Sequence, residues 1–125
     1  MVVDARVTSG DEHAAIRAEA RAWLAEHRRD DLTEDEWLAM VVDAGWSAPS
    51  WPVGSFGRGV SPEAARAVDD EFKAAGATGY GQDVSNLWAN TVLAFGRDEL
   101  KQRVLRGLLL HTIPMCLLYS EPGAG

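Results

Sequence analysis

Apolar residues recur along this chain at intervals of three and four, which is the pattern of a helix with one apolar face. The first such stretch predicts a helix over residues 11–28. Its apolar side is formed by Ile16, Ala20, Trp23, Leu24 and His27. Ser9–Glu12 has the spacing of a capping box, in which the Ser and Glu side chains bond free backbone N–H groups at a helix start. We therefore expect the helix to begin directly after Ser9.

Residues that favour the start or the end of a helix predict two further helices between residues 33 and 76. A second capping box at Thr33–Glu36 predicts a helix that stops at Gly45. Ser61 followed by Pro62 predicts a third helix, because proline is favoured at the first helical position, and this helix stops at Gly76. The residues predicted to face inward are Trp37, Val41, Ala44, Ala65, Val68, Phe72 and Ala75. Between the two helices, residues 46–60 are irregular and rich in Pro and Gly, and their two tryptophans predict a loop that packs against the helices.

Two more helices are expected before residue 113. Residues 83–95 predict one helix that ends at Gly96, and Asp98 is positioned to cap a further helix that ends near Gly107. The apolar face of the first is formed by Val84, Leu87, Trp88, Thr91 and Phe95. Taken one residue at a time, these side chains are most simply interpreted as core.

The last apolar segment, residues 113–119, has no helical period and predicts a buried extended strand followed by a Pro-Gly turn. A strand needs neighbours for its backbone hydrogen bonds, and nothing else in the sequence is clearly typical of one. The expected fold class is therefore all-α, with about five helices in an orthogonal bundle and one C-terminal extended strand.

Length, composition and charge narrow the function classes. The chain has 125 residues, enough for one domain, and its 46% apolar and 25% charged residues are typical of globular proteins. Its net charge of −7 argues against nucleic acid or an anionic membrane as a partner. The single Cys116 is expected to be a small buried apolar residue, and His13, His27 and His111 have no metal-ligand spacing. Without a signal-peptide pattern or a long apolar run, we expect a cytoplasmic protein.

The ending Cys116–Gly125 resembles the acyl-CoA dehydrogenase family, in which an apolar strand runs into a Thr/Ser-Glu-Pro-x-x-Gly-Ser-Asp turn beside the flavin. Upstream segments match in order. Gly45–Pro52, with Gly57–Gly59 and Ser61-Pro62, is similar to the family's loop between its second and third helices, and Leu93–Lys101 is similar to the turn before its last N-terminal helix. The resemblance spans nearly the whole chain but only about the first third of a full-length member.

This resemblance implies that residues 1–112 form the family's N-terminal helical domain and residues 113–125 the first strand and flavin-side turn of its middle β domain. Members bind FAD and dehydrogenate acyl-CoA thioesters between the α and β carbons in fatty-acid or related lipid degradation. Electrons usually leave through electron-transfer flavoprotein, and subunits form oligomers. The family's catalytic base lies in a C-terminal helical domain, so we expect no catalytic residue here, and a truncated, colourless and inactive 125-residue chain.

The resemblance also assigns site residues. Flavin contacts fall on Leu117, Leu118, Tyr119, Ser120, Gly123 and Gly125. Substrate contacts fall on Asp83, Leu87 and Trp88. Glu121 is expected to be structural and not a catalytic base.

Two other functions are possible interpretations of the sequence. The chain could be a non-catalytic helical module that binds another dehydrogenase subunit through the strand edge at residues 113–119, since an unpaired strand recruits partners. A small DNA-binding protein is disfavoured by the negative charge and the lack of a basic recognition helix.

Overall fold

Six α-helices and one short 3₁₀ turn make up the described part of the chain. The structure is a computed structural model, which describes the backbone of residues 5–115 and the side chains of residues 10–115. The helices are α1 (Ala5–His27), α2 (Glu34–Asp43), α3 (Pro62–Ala74), α4 (Gln82–Ser85), α5 (Leu87–Phe95) and α6 (Asp98–Leu109), and the 3₁₀ turn spans Val53–Ser55. The all-α prediction is confirmed for these residues, although six helices replace the expected five.

The predicted C-terminal strand falls largely outside this region. Residues 113–115 are not in a strand, and residues 116–125, including Cys116 and Glu121, lie outside the described residues. The strand and the orthogonal arrangement of the bundle therefore stay predictions.

The helix starts predicted at Thr33 and Ser61 are confirmed, whereas the predicted cap at Asp98 is wrong, because Asp98 is the first residue of α6 and Arg97 is its N-cap. At α2, the Glu36 N–H donates to Thr33 Oγ1 over 3.1 Å and the Thr33 N–H donates to Glu36 Oε1 over 3.3 Å, which completes the capping box. At α3, the Ala64 N–H donates to Ser61 Oγ over 3.1 Å. The box at Ser9 is wrong as a helix start, because α1 already begins at Ala5. A capping sequence marks a start only where the chain before it leaves the helix, and here the helix continues upstream.

The single helix predicted over residues 83–95 is also wrong. Asn86 has an extended backbone (φ −88°, ψ 91°) that separates α4 from α5. Its side chain then caps α5, since Asn86 Oδ1 accepts from the Ala89 N–H over 3.0 Å. An internal asparagine that caps the second half of an apolar run is thus enough to divide it.

The end of α6 lies two residues beyond the predicted Gly107. His111 follows in the left-handed conformation (φ 58°), and the Thr112 N–H donates to the Gly107 carbonyl over 2.9 Å. Residues 112–113 fold back on the last helical turn so closely that a Cβ on Gly107 would lie 2.5 Å from Ile113 Cδ1. An alanine at 107 would therefore require the Ile113 side chain to shift.

Two apolar clusters form the core. The first joins α1, α2 and α3 and consists of Ile16, Ala20, Leu24, Trp37, Val41, Trp46, Ala64, Ala67, Val68, Phe72 and Ala77. Trp23 packs against this cluster, with its ring centroid 4.5 Å from that of His27 and 5.4 Å from that of Trp37. The inward faces predicted for the first three helices are thus confirmed.

The second cluster joins α2, α5, α6 and the loop over residues 46–60. It consists of Val42, Ala48, Trp51, Ala89, Leu105, Leu108 and Leu109. As predicted, the loop packs down through its tryptophans, both of which are buried. Two segments of the loop backbone approach closely at Gly57, where an added Cβ would lie 2.0 Å from the Trp51 carbonyl oxygen.

Candidate functional site

The helix pair α4–α5 turns apolar side chains toward solvent. Val84, Leu87 and Phe95 are 84%, 55% and 86% exposed, so the interpretation of these three residues as core is wrong. We call them the outer face. Residues 84–96 contain no charged side chain. Leu87, Thr91 and Phe95 are four residues apart, which places them on one side of α5.

The inner side of the same helix pair is polar. Gln82, Asn86 and Asn90 are also four residues apart, and the first two are buried. We call these three side chains the amide row. Ordinary surface helices expose their polar residues, whereas α4–α5 buries Gln82 and Asn86 together with apolar Ala89 and leaves three large apolar side chains in solvent.

Every buried amide group in this row has a partner. Gln82 Nε2 donates to Ser47 Oγ over 2.7 Å and to the Leu109 carbonyl over 2.8 Å. Asn86 Nδ2 donates to Gln82 Oε1 over 2.7 Å and to the Leu108 carbonyl over 3.1 Å. The last carbonyls of a helix have no partner within it, so α4 supplies caps for the end of α6.

Asn90 extends the row to the loop. Its Nδ2 donates to the Gln82 and Asn86 carbonyls over 3.2 and 2.8 Å, and its Oδ1 accepts from Trp51 Nε1 over 3.3 Å. These bonds hold the polar side of α4–α5 inward. The helix pair cannot turn over without leaving buried amides unpaired, so the outer face stays in solvent.

A carboxylate fixes the same loop to α4. Asp83 Oδ2 accepts from the Ser50 N–H over 3.1 Å and from Ser50 Oγ over 2.6 Å. On α3, burial raises the pKa of Asp69 to about 6, and repulsion from Asp83 adds to this effect. Asp69 Oδ1 is buried without a hydrogen-bond partner, which is consistent with a carboxyl group that is costly to ionise.

The structure places the three expected substrate residues in one segment but in different settings. Leu87 is exposed, Asp83 is bonded to Ser50, and Trp88 is half-buried against the second cluster. The expected flavin contacts, Leu117, Leu118, Tyr119, Ser120, Gly123 and Gly125, lie outside the described residues.

Sequence reasoning missed the amide row. The signal was present, because Gln82, Asn86 and Asn90 recur at a helical spacing on the side of the helix opposite the apolar residues. It was passed over because the apolar side of a helix is ordinarily the buried one.

The described part of the chain holds neither a metal cluster nor a membrane-spanning helix. Across residues 10–115, no three His, Cys, Asp or Glu side chains lie where they could hold a metal ion. None of the six helices is both long and apolar enough to cross a bilayer.

Comparison with known proteins identifies the family. The family model of the acyl-CoA dehydrogenase N-terminal domain matches residues 10–111. The chain is 33% identical over 114 residues to acyl-CoA dehydrogenase FadE34 of Mycobacterium tuberculosis, a match that covers 91% of this chain and 16% of that protein. It is 30% identical over 131 aligned positions to acyl-CoA dehydrogenase IpdE1 of Mycolicibacterium smegmatis, covering 88% of this chain and 33% of that protein.

The matched region is a small part of these relatives, since the chain spans a third or less of their length. No solved structure matches the chain significantly. A family model that covers most of the sequence is nevertheless sufficient for assignment. The chain belongs to the acyl-CoA dehydrogenase family.

Proposed function

We propose that this chain is the N-terminal helical portion of a FAD-dependent acyl-CoA dehydrogenase that acts on acyl-CoA thioesters in fatty-acid or related lipid degradation. Residues 1–112 form the helical domain in this proposal, and residues 113–125 begin the β domain. The family match over residues 10–111 supports it. When FAD is bound it supplies hydride acceptance, and the residues proposed to contact it are Leu117, Leu118, Tyr119, Ser120, Gly123 and Gly125.

The observation that carries the proposal is the outer face of α4–α5. An exposed apolar surface without charge suits an acyl chain, and each methylene that leaves water contributes about 0.8 kcal/mol. Leu87 lies at the centre of this surface, between Val84 and Phe95 along the chain. The amide row keeps the surface in place while it is empty, so binding needs no rearrangement of α4–α5.

The other two proposed substrate residues have supporting tasks. Asp83 holds Ser50 and thereby fixes the loop beside α4. Trp88 is anchored in the second cluster and leaves part of its indole accessible next to Leu87 in the sequence. Both keep Leu87 on a rigid support, which is what a binding surface requires.

The remaining partners follow from the family. We propose electron-transfer flavoprotein as the electron acceptor and oligomers of dehydrogenase subunits as the assembly. We also propose that the 125 residues alone do not dehydrogenate acyl-CoA, because the family's catalytic base belongs to a C-terminal helical domain. We further propose that the purified 125-residue chain is colourless, and retained stoichiometric flavin absorbance would contradict this.

Methyl NMR of the full 125-residue chain tests the acyl surface. Octanoyl-CoA at millimolar concentration is expected to shift the Val84 and Leu87 methyl resonances, whereas CoA alone is not. Leu87→Asp is expected to weaken this binding about tenfold, because it removes the burial of one leucine side chain. Val53→Asp is the matched control, since Val53 is 76% exposed and lies outside the outer face. Equal shifts with CoA alone, or equal losses in both variants, would refute the acyl surface.

The alternative is a non-catalytic module that binds another dehydrogenase subunit. The outer face also favours this hypothesis, because large exposed apolar patches mark protein interfaces. The two functions differ in competition. If the face binds a subunit, Leu87→Asp weakens the binding of that subunit and octanoyl-CoA does not compete with it. If the face binds an acyl chain, octanoyl-CoA binds there and Leu87→Asp weakens that binding.

A further inference from the structure

We propose that Gln82 and Asn86 are positioning residues that couple the outer face to the segment after α6. The inference rests on the proposed function in so far as that face binds an acyl group. The contacts of Gln82 and Asn86 with the end of α6 do not depend on that function. The same two side chains support α4–α5 from within and hold the carbonyls that end α6.

The coupling begins at the last turn of α6. The Leu108 and Leu109 carbonyls accept from Asn86 Nδ2 and Gln82 Nε2, both of which belong to buried side chains. Because water cannot replace these donors in the interior, a displacement of α4 either moves the end of α6 or leaves buried groups unpaired. The two elements are therefore expected to move together.

The end of α6 in turn fixes residues 111–113. The His111 N–H donates to the Leu108 carbonyl over 3.3 Å and the Thr112 N–H to the Gly107 carbonyl over 2.9 Å. The Ile113 side chain then lies directly against Gly107. Leu108 thus accepts both from the amide row and from the turn that starts this segment.

The consequence is a short path between two parts of the proposed site. Residues 111–115 lead to the positions from Leu117 onward that the proposal assigns to the flavin. A ligand on the outer face would hold α4–α5, and through Gln82 and Asn86 it would hold the start of that segment.

Hydrogen exchange on the full chain tests the coupling without any activity measurement. Gln82→Met keeps the shape of the side chain and removes its donors, and exchange at the His111 and Thr112 amides is expected to quicken at least tenfold. Thr33→Ala is the control, because it removes the cap of α2 and destabilises the fold by about 1 kcal/mol without touching the amide row. Equal acceleration at these amides in both variants would overturn the coupling.

A second variant covers the case in which Gln82→Met does not fold. Asn86→Asp keeps the oxygen that caps α5 and places a carboxylate oxygen against the Gln82 Oε1 and Leu108 carbonyl acceptors, so faster exchange at Thr112 is again expected, and unchanged exchange would overturn the inference.

Octanoyl-CoA separates this inference from the proposed function. It should slow exchange at Thr112 in the unsubstituted chain and not in Gln82→Met. If it has no effect on the unsubstituted chain while both variants behave as expected, the coupling is supported and the acyl surface is refuted. If it slows exchange at Thr112 equally in Gln82→Met, the amide row is not the path.

Discussion

Replacing Asp69 with asparagine is expected to stabilise the protein at neutral pH and to lose that advantage in acid. Asp69 is half-buried on α3, and its Oδ1 has no hydrogen-bond partner. Burial raises the pKa of this carboxyl to about 6, with further contributions from the negative charges of Asp83 and Asp70 and an opposing one from Lys73. The ionised carboxyl is therefore a cost that asparagine does not carry.

The sign follows from proton linkage. The pKa of Asp69 in the folded protein lies above its ordinary value of 3.8, so the folded state holds the proton more tightly than the unfolded state does. Its contribution to stability is complete below the unfolded pKa and is lost as the pH rises through about 6. The full difference corresponds to about 3 kcal/mol, and partial solvent access reduces it to about 1–2 kcal/mol.

Urea unfolding at pH 4.5 and pH 7.5 measures this difference. Because pH 4.5 lies above the unfolded pKa of 3.8, about a third of the full effect is already lost there. The free energy of unfolding of Asp69→Asn, relative to the unsubstituted chain, is therefore expected to be about 1 kcal/mol higher at pH 7.5 than at pH 4.5. Asp70→Asn is the control, because Asp70 is exposed and neighbours Asp69 on the same helix. An advantage of Asp69→Asn that is the same at both pH values would refute the reasoning, since the carboxyl would then not be taking up a proton between them.

Three further predictions concern the fold, and each is read from the free energy of unfolding. Gly57→Ala is expected to lower the free energy of unfolding by about 3 kcal/mol or more, because its Cβ would overlap loop backbone. Gly54→Ala is the control, because a Cβ there has open space and should change stability by less than about 0.5 kcal/mol. Equal effects of the two substitutions would contradict the close approach at Gly57. His111→Gly should stabilise by about 0.5–1 kcal/mol because His111 has a positive φ, and a loss would show that its side chain contributes more than the strain. Hydrogen bonds from Arg21 lower the pKa of Glu71, so its contribution to stability is present above the unfolded pKa and is lost as the pH falls through the folded pKa. Glu71→Gln should therefore destabilise the protein at pH 7, and this loss should shrink as the pH is lowered; a loss that does not change with pH would contradict the ion pair.

Local signals predicted most of the helices correctly. The starts of α2 and α3 depend on bonds that span three residues, from Thr33 to Glu36 and from Ser61 to Ala64, so they are legible without knowledge of the rest of the fold. The inward faces of the first three helices were also predicted correctly, because the apolar sides of these helices pack against one another in the first cluster. The family resemblance was likewise carried by ordered short motifs, and the match over residues 10–111 confirms it.

The orientation of α4–α5 was decided only in three dimensions. Periodicity shows which side of a helix is apolar, but whether that side is buried depends on what the opposite side contacts. Here Gln82 bonds Ser47 and the Leu109 carbonyl, which are 35 and 27 residues away in sequence, and these bonds turn Leu87 outward. The sequence by itself therefore determined the family, the starts of α2 and α3 and the inward faces of the first three helices, while long-range hydrogen bonds to buried amides decided which side of α4–α5 is exposed to solvent.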